Sequence, residues 1–208
     1  MHIDLNKADK KDRYKLLMSS ILPRPIALVT TQDDQGRVNA APFSFFNIMA
    51  STPAIIVLGI DSKSPGVPKD TVRNMKLTGE FVVNMVSENI AEKMSLCASP
   101  LPEGEDELKF SGLTAAPSIQ VKPPRVAESP INMECRIVNV MDIGFDRNLI
   151  IGNVIHYHIN DEFYDAQTGY VLVEKLGLIA RMHGKSFYLR STDIFEVTRP
   201  PGSSSIAG

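Results

Sequence analysis

Residues 26–42, IALVTTQDDQGRVNAAP, decide the fold class because they have the pattern of a β-hairpin. Ile26–Thr31 is short and rich in β-branched residues, which is typical of a strand. Asp33–Gly36 has the composition of a tight turn, and Arg37–Pro42 returns as the second arm. The sequence therefore predicts a pair of strands near the start of the domain.

The rest of the chain predicts more strands than helices. We expect further strands at Ala54–Ile60, Phe81–Val86, Ile131–Met141, Leu149–Asn160, Tyr170–Val173 and Ser186–Leu189. We expect helices at Asp9–Ile21, at 70–77 with Asp70 as the N-cap and Gly79 as the stop, and at Glu88–Ala98 with Ser87 as the cap. Strands and helices do not alternate as βαβ units. A mainly β, closed or nearly closed barrel with a few short peripheral helices is therefore the simplest architecture.

Two segments fit neither pattern. Phe43–Asn47 is polar and aromatic, and it reads as neither a clean helix nor a clean strand. Residues 99–130 carry six prolines and the acidic run 103–107. This composition predicts a long surface excursion with a solvated acidic loop and one helical turn near Leu108.

Length, charge and cysteine content limit the classes of protein to consider. A chain of 208 residues suits one domain, which we place at 1–198, followed by a flexible tail at 199–208. The net charge of -2 gives no basic excess for nucleic acid or anionic membranes. No apolar run approaches the roughly 20 residues that span a bilayer, and no signal peptide is visible, so we expect a cytoplasmic protein. Cys97 and Cys135 fit no metal or redox spacing, so two reduced, buried thiols are expected.

Hydroxyl and amide side chains gather at predicted turns between residues 24 and 71. They are Thr30, Thr31, Ser44, Asn47, Ser51 and Thr71, with Lys69 at the start of the second predicted helix. Hydroxyls, free backbone N–H groups and one cation at a helix start are what a phosphate needs. Asp70 would repel a phosphate, and we interpret it as the helix cap, its carboxylate occupied by N–H groups. On composition alone the ordinary reading, in which these are simply turn residues, stays open.

Five stretches together resemble the flavin reductase-like family, which includes flavoredoxin and the reductase components of two-component flavin monooxygenases. They are Arg24–Thr31, Asn39–Asn47, Ser51–Pro53, Lys69–Asn74 and Phe81–Asn84, and Gly152–Val154 fits a late strand of that family's barrel. The similarity spans roughly residues 14–190, and the order and spacing of the pieces match. The resemblance implies an FMN-binding split β-barrel of Greek-key-like topology. It also implies a homodimer that holds FMN near the subunit interface.

The resemblance also implies roles for particular residues. Thr30 and Thr31 would lie along the isoalloxazine edge, and Ser51, Lys69 and Thr71 would form the phosphate cradle. The ring and the ribityl-phosphate would be held by side chains and N–H groups of Ser44, Phe45, Phe46 and Asn47. Arg181 would meet a flavin or dinucleotide phosphate, with His183 and Tyr188 beside the ring. Core positions for Phe45 and Phe46, and a surface role for Arg181, remain open alternatives.

The implied activity is direct hydride transfer from NADH or NADPH to flavin N5, which needs no catalytic acid or base. The protein would be an NAD(P)H-dependent flavin reductase or a flavoredoxin-like electron carrier, which passes electrons to an acceptor or a partner monooxygenase. The sequence lacks a G-x-G-x-x-G motif, so the dinucleotide would dock transiently on the flavin. Two alternatives stay open: a non-catalytic flavin-binding or storage barrel, favoured by apolar Ile48–Ala50, and a pyridoxamine-phosphate-oxidase-like enzyme.

One further pair could hold a metal. His156 and His158 are two residues apart, so in a strand both imidazoles would lie on one face. No third ligand is evident nearby, and the family uses no metal. We therefore expect no metal site.

Overall fold

A computed structural model describes residues 1–102, 104–184 and 186–198. The helices are α1 (Lys10–Ser20), α2 (Asp70–Thr78), α3 (Ala91–Leu96), α4 (Glu107–Ser111) and α5 (Val173–Leu176), with single 3₁₀ turns at Glu88–Ile90 and Asp161–Phe163. The strands are β1 (Arg24–Pro25), β2 (Ala27–Gln32), β3 (Val38–Phe43), β4 (Phe46–Ser51), β5 (Ala54–Asp61), β6 (Glu80–Met85), β7 (Ala115–Ala116), β8 (Arg125–Val126), β9 (Ile131–Asp142), β10 (Arg147–Ile159), β11 (Tyr164–Asp165), β12 (Tyr170–Val171), β13 (Ile179–Arg181) and β14 (Tyr188–Arg190). The predicted tail, 199–208, lies outside the described residues.

Seven strands form one antiparallel sheet in the order β3-β2-β6-β9-β10-β5-β4. The long β9–β10 hairpin lies between β5 and β6, so the connection from β5 to β6 through α2 crosses two strands. The predicted hairpins at 26–42 and 131–160 are both confirmed. They are found because a tight turn between two apolar runs is a local signal.

The sheet encloses the main hydrophobic core. All seven strands contribute to it, including both edge strands, through residues such as Phe43 and Phe46, and α2 adds Val72 and Met75. A curled sheet whose two edges share one core has the shape of a barrel. Gly152 on β10 leaves room for this packing, because a Cβ there would lie 2.5 Å from the ring of buried Phe81.

A second core lies on the outer face of β2. Strand side chains alternate, so Ala27 and Val29 point into the barrel while Leu28 joins the outer cluster. The outer cluster also contains Ile90, Met94 and Cys97. It also includes Leu108, Leu113 and Val126 of the 99–130 segment. The predicted surface excursion is therefore partly a packed layer, with its helical turn at α4 as expected.

Carboxylates attach this excursion to the barrel through backbone N–H groups. Glu134 of β9 is fully buried and accepts from the N–H groups of Ile119, Gln120 and Val121 at 2.8, 2.6 and 3.1 Å. Glu80 accepts from the N–H of the following residue, Lys122, at 3.0 Å. Two side chains of the barrel thus hold four consecutive main-chain amides.

Three local expectations are wrong. Phe46 and Asn47, expected in an irregular segment, begin β4, because the chain pairs with β5 immediately after a bend at 44–45. Asp70 is the first residue of α2 and Lys69 is its N-cap. The expected 88–98 helix is a 3₁₀ turn followed by α3, and Ser87 makes no capping hydrogen bond. Element boundaries are the features that local sequence preference fixes least well.

The β9–β10 turn has an unusual backbone. Phe145 and Asp146 have positive φ angles of 54° and 59°, and Phe145 is 97% exposed. Asp146 binds the 62–66 loop twice: its carbonyl accepts from the N–H of Ser62 at 2.9 Å, and its carboxylate accepts from the N–H of Gly66 at 2.8 Å. These bonds fix the turn beside the loop that leads into α2.

Within the described residues, none of the helices combines the length and apolar character needed to cross a membrane. Cys97 and Cys135 are both buried free thiols, as expected, and burial raises the pKa of each.

Candidate functional site

The start of α2 is the first part of the candidate site. Lys69, the N-cap, makes no capping hydrogen bond through its side chain. A helix start leaves backbone N–H groups without intrahelical acceptors, and it carries a partial positive charge. The Asp70 carboxylate pairs with Lys63 at 2.5 Å and with Arg73 at 2.7 Å. Asp70 is thus neutralised by two cations instead of serving as the cap.

A buried amide and hydroxyl cluster fixes α2 against the first hairpin. The Asn39 amide donates to the hydroxyls of Thr31 and Thr71 at 3.3 and 3.0 Å. The Asn74 amide donates to the same Thr31 hydroxyl at 3.2 Å. Thr31, Thr71 and Asn74 are at most 3% exposed. The hydrogen bonds to Thr31 and Thr71 therefore fix the start of α2, and with it Lys69, against the first hairpin.

Thr30 points to the opposite side of β2. Its hydroxyl donates to the carbonyl of Pro124 at 2.5 Å and accepts from the buried amide of Asn84 at 3.2 Å. Neither Thr30 nor Thr31 has any exposed surface. The expectation that they line the isoalloxazine edge is corrected accordingly: no part of either residue reaches the surface where a ligand could touch it.

The turn between β3 and β4 is the second part of the candidate site. Phe45 is 36% exposed, and its carbonyl accepts from the N–H of Gly59 at 2.8 Å. Phe46 packs against the barrel core, while the exposed Asn47 accepts from the following N–H. The turn lies near the α2 start, because the Lys69 ammonium is 5.7 Å from the centroid of the Phe43 ring.

Ser51 lies away from this group. It is at the far end of the β4–β5 hairpin, paired with Ala54, whereas Phe46 pairs with Leu58. Five residues of strand separate Ser51 from Phe46, which is roughly 15 Å. The role of Ser51 in the phosphate cradle stays a prediction.

Arg24 is a residue of this site whose role the sequence did not reveal. It is 7% exposed, and its guanidinium donates to the Ser44 hydroxyl at 3.4 Å and to the carbonyls of Met18, Ile21 and Met182 at 3.0, 3.1 and 2.9 Å. Burial lowers the pKa of Arg24, although an arginine this basic stays charged. Arg24 joins the end of α1, the 44–45 turn and the segment after β13.

Arg181, His183 and Tyr188 lie at the β13–β14 hairpin. Arg181 pairs with Arg24 in the β1–β13 register, so this hairpin adjoins the 44–45 turn. The Arg181 guanidinium donates to the carbonyls of Phe187 and Gly184 at 3.1 Å each and lies 4.8 Å from the Tyr188 ring centroid. His183 stacks on Phe187 at 5.4 Å. Arg181 closes its own hairpin, and the aromatic side chains of that hairpin are exposed.

A groove of about 1050 Å³ opens between α1 and the barrel. Its apolar wall consists of Leu5, Tyr14, Leu17, Met18, Phe45 and Phe145. None of the α1 residues is buried. Phe45 is the residue that this groove shares with the turn between β3 and β4.

His156 and His158 do share one strand face, with ring centroids 4.7 Å apart. The His158 ring contacts the buried Glu134 carboxylate at 2.5 Å. In the part of the chain that is described, no three His, Cys, Asp or Glu side chains are arranged to hold a metal ion. His158 therefore belongs to the hydrogen-bond network through which Glu134 attaches the 99–130 segment to the barrel.

Comparison with known proteins agrees with this architecture. The model of the flavin reductase like domain matches residues 18–173. The chain is 34% identical to 2-nitrobenzoate 2-nitroreductase of Pseudomonas fluorescens, covers 100% of both chains and superposes with a TM-score of 0.88. It is 35% identical to nitrilotriacetate monooxygenase component B of Bacillus cereus, covering 95% of this chain and 98% of that one, with a TM-score of 0.88. A protein with a split barrel domain from Shewanella frigidimarina, 20% identical over 96% of this chain and 100% of that one, superposes with a TM-score of 0.82.

The fold is thus a mainly β split barrel with short peripheral helices, as predicted. The chain belongs to the flavin reductase like family. Membership supports a flavin reductase role, with flavin and a pyridine nucleotide as substrates and, in some members, a partner monooxygenase.

Proposed function

We propose that the protein is an FMN-binding oxidoreductase that accepts hydride from NADH or NADPH, either as a flavin reductase or as a flavoredoxin-like carrier. The observation that carries the proposal is the start of α2. The N-cap there is Lys69, and its side chain makes no capping hydrogen bond to the helix. A dianionic phosphate needs this combination of N–H groups and a cation. The donor set therefore fits the tail of FMN.

The chain's residues would divide the work as follows. Lys69 and the first N–H groups of α2 bind the phosphate, while Thr31 and Thr71 hold that helix in position. The turn at Ser44–Asn47 supplies N–H groups and the Phe45 ring to orient the isoalloxazine, and Arg24 supports the turn from beneath. When bound, FMN supplies the hydride-accepting N5. The protein excludes water and aligns the two rings, and no side-chain acid or base is needed.

The assembly we propose is a homodimer in the cytoplasm, with each flavin site near the subunit interface. Large apolar side chains on the β4 edge and on β9 support an interface there. Ile48, Met49 and Val138 are each more than half exposed in the single chain. Exposed apolar area of this kind commonly marks a contact surface.

The absorption spectrum of the purified protein tests the proposal. We expect a flavin band, either as purified or after addition of FMN, that NADH or NADPH bleaches without oxygen. A protein that stays colourless and does not bind added FMN would sink the proposal. Tight FMN binding without bleaching would instead support the flavin-storage alternative. Steady turnover of pyridoxine 5′-phosphate would favour the pyridoxamine-phosphate-oxidase-like alternative.

The similarity to a 2-nitrobenzoate 2-nitroreductase favours a second candidate function at the same site. In that case the reduced flavin would pass its electrons to a nitroaromatic acid instead of releasing them to a partner protein. Anaerobic reoxidation of the reduced protein by 2-nitrobenzoate distinguishes the two. Reoxidation no faster than that of free reduced FMN would exclude the nitroreductase role.

We expect Lys69→Ala to weaken FMN binding by about 1–3 kcal/mol, the range for losing a charged hydrogen bond. Fluorescence titration of the apoprotein with FMN measures the effect. Lys76→Ala is the matched control, because Lys76 lies on the same helix in its last turn and is exposed. Equal dissociation constants for the two variants would remove Lys69 from the phosphate site.

A further inference from the structure

We propose that the groove between α1 and the barrel binds the adenosine-phosphate half of the pyridine dinucleotide, and that its lysines favour NADPH over NADH. The inference rests on the proposed function and deepens it by assigning a donor and a docking surface. Apart from Phe45, it concerns residues that the proposed flavin site does not include.

The shape of the groove suits a nucleotide. Its volume of about 1050 Å³ is just above the range, roughly 300–1,000 Å³, that small-molecule sites occupy. Tyr14 and Phe145 line it, and they are 58% and 97% exposed. Exposed aromatic faces along an open cleft can stack on a base without sequence-specific contacts. Phe145 is held in its projecting position by the hydrogen bonds of its neighbour Asp146.

The charge of the groove is opposite to that of the whole protein. Lys10, Lys11, Arg13 and Arg147 line it with one acidic residue, Asp61, whereas the chain as a whole has a net charge of -2. Arg147 is neutralised by its ion pair with Asp61. Arg13 donates to the carbonyls of Leu5 and Ala8, which fixes the segment before α1.

Lys10 and Lys11 are the cations left for a ligand. Both are exposed, and neither has an ion-pair partner among the described residues, in contrast with Lys7, paired with Asp4, and Lys15, paired with Asp12. Two adjacent lysines at the mouth of an aromatic cleft match a phosphate group on a nucleoside. A 2′-phosphate adds two negative charges that NADH lacks, which is the reason for the preference.

The position of the groove relative to the flavin site also fits. Phe45 belongs to both, since it lines the groove and lies in the turn assigned to the isoalloxazine. A dinucleotide with its nicotinamide over the flavin at Phe45 could therefore extend its adenosine half along α1. A separate nucleotide-binding domain is not required for this arrangement.

The test is the affinity of adenosine 2′,5′-bisphosphate, measured by calorimetry on the full-length protein. We expect it to bind more tightly than 5′-AMP and to weaken roughly tenfold in Lys10→Ala/Lys11→Ala, which is the sum of two exposed charge contacts. The matched control is Lys7→Ala/Lys15→Ala, which removes the same charge from the same region and should leave the affinity unchanged. The KM for NADPH should rise by a similar factor with kcat retained.

Two results would overturn the inference. One is an unchanged bisphosphate affinity in Lys10→Ala/Lys11→Ala; a shift of the dimer–monomer equilibrium in that variant would then show that a second copy of the chain covers the groove. The other is an equal loss of affinity in the control. FMN titration of every variant separates this failure from that of the proposed function. If the protein binds FMN and oxidises NADPH, but Lys10→Ala/Lys11→Ala leaves the bisphosphate affinity unchanged, only the assignment of the groove as a nucleotide site is overturned.

Discussion

Replacing Glu134 by alanine is expected to lower the free energy of unfolding by about 3–5 kcal/mol, the range for removing one partner of a buried charged network. The Glu134 carboxylate is fully buried and accepts from three backbone N–H groups and from His158. Without it, those donors lose their acceptor inside the protein, and the excursion loses its main attachment. Urea denaturation followed by circular dichroism measures the change.

The matched control is Glu92→Ala, because Glu92 is exposed on α3 and its loss should cost less than about 0.5 kcal/mol. A Glu134→Ala protein as stable as this control would show that the network contributes little.

The Glu134 effect should depend on pH. Burial raises the pKa of Glu134, but the hydrogen bonds from Ile119, His158 and Gln120 outweigh burial and hold the pKa below its usual value. A carboxyl with a lowered folded pKa stabilises the native state fully above its unfolded pKa, about 4.3, and loses that contribution as the pH falls through the folded value. The stability difference between wild type and Glu134→Gln should therefore shrink below about pH 4. A difference that is constant from pH 7 to pH 3 would contradict this account.

Replacing Arg24 by methionine is expected to cost about 2–4 kcal/mol of stability, because its four hydrogen bonds to Ser44, Met18, Ile21 and Met182 are lost from a buried site. Methionine keeps most of the side-chain volume, so the effect reports on the hydrogen bonds. Since two of those bonds hold the end of α1, amide exchange in Lys10–Ser20 should accelerate as well.

Arg190→Met is the control for Arg24. Arg190 makes an exposed ion pair with Glu88, and such pairs are worth less than about 1 kcal/mol. Unchanged protection of α1 in Arg24→Met would show that the helix is held by other contacts.

The strands of the barrel were largely predictable from sequence, because the signals are local. β2 and β3 flank an Asp- and Gly-containing turn, and β9 and β10 carry regularly recurring apolar residues on either side of Gly144. The start of β4 was missed because Phe46 and Asn47 become a strand only by pairing with β5. The packing of the 99–130 segment was missed for a similar reason. Leu108 and Val126 are buried by the outer face of β2, which no local pattern reveals.

The candidate site was predictable in its composition and only partly in its arrangement. Lys69 is half-buried at the start of α2, and its ammonium lies 5.7 Å from the ring centroid of Phe43, two residues before Phe45 in the chain. Thr30 and Thr31 differ because β2 is buried on both faces along Ala27–Thr31, so neither hydroxyl is accessible. Arg24 gave no signal because its partners, Met18 and Met182 among them, lie at both ends of the chain and offer only backbone carbonyls.

The hydrogen bonds from the 119–122 backbone to Glu134 and Glu80 affect which sequence changes this segment can tolerate. Both glutamates recognise the peptide backbone of Ile119–Lys122, and three of these four side chains, all except Val121, are exposed. The identities of the exposed residues are therefore free to drift among relatives, or under mutagenesis, while the attachment survives. Proline is the exception, since it has no N–H to offer.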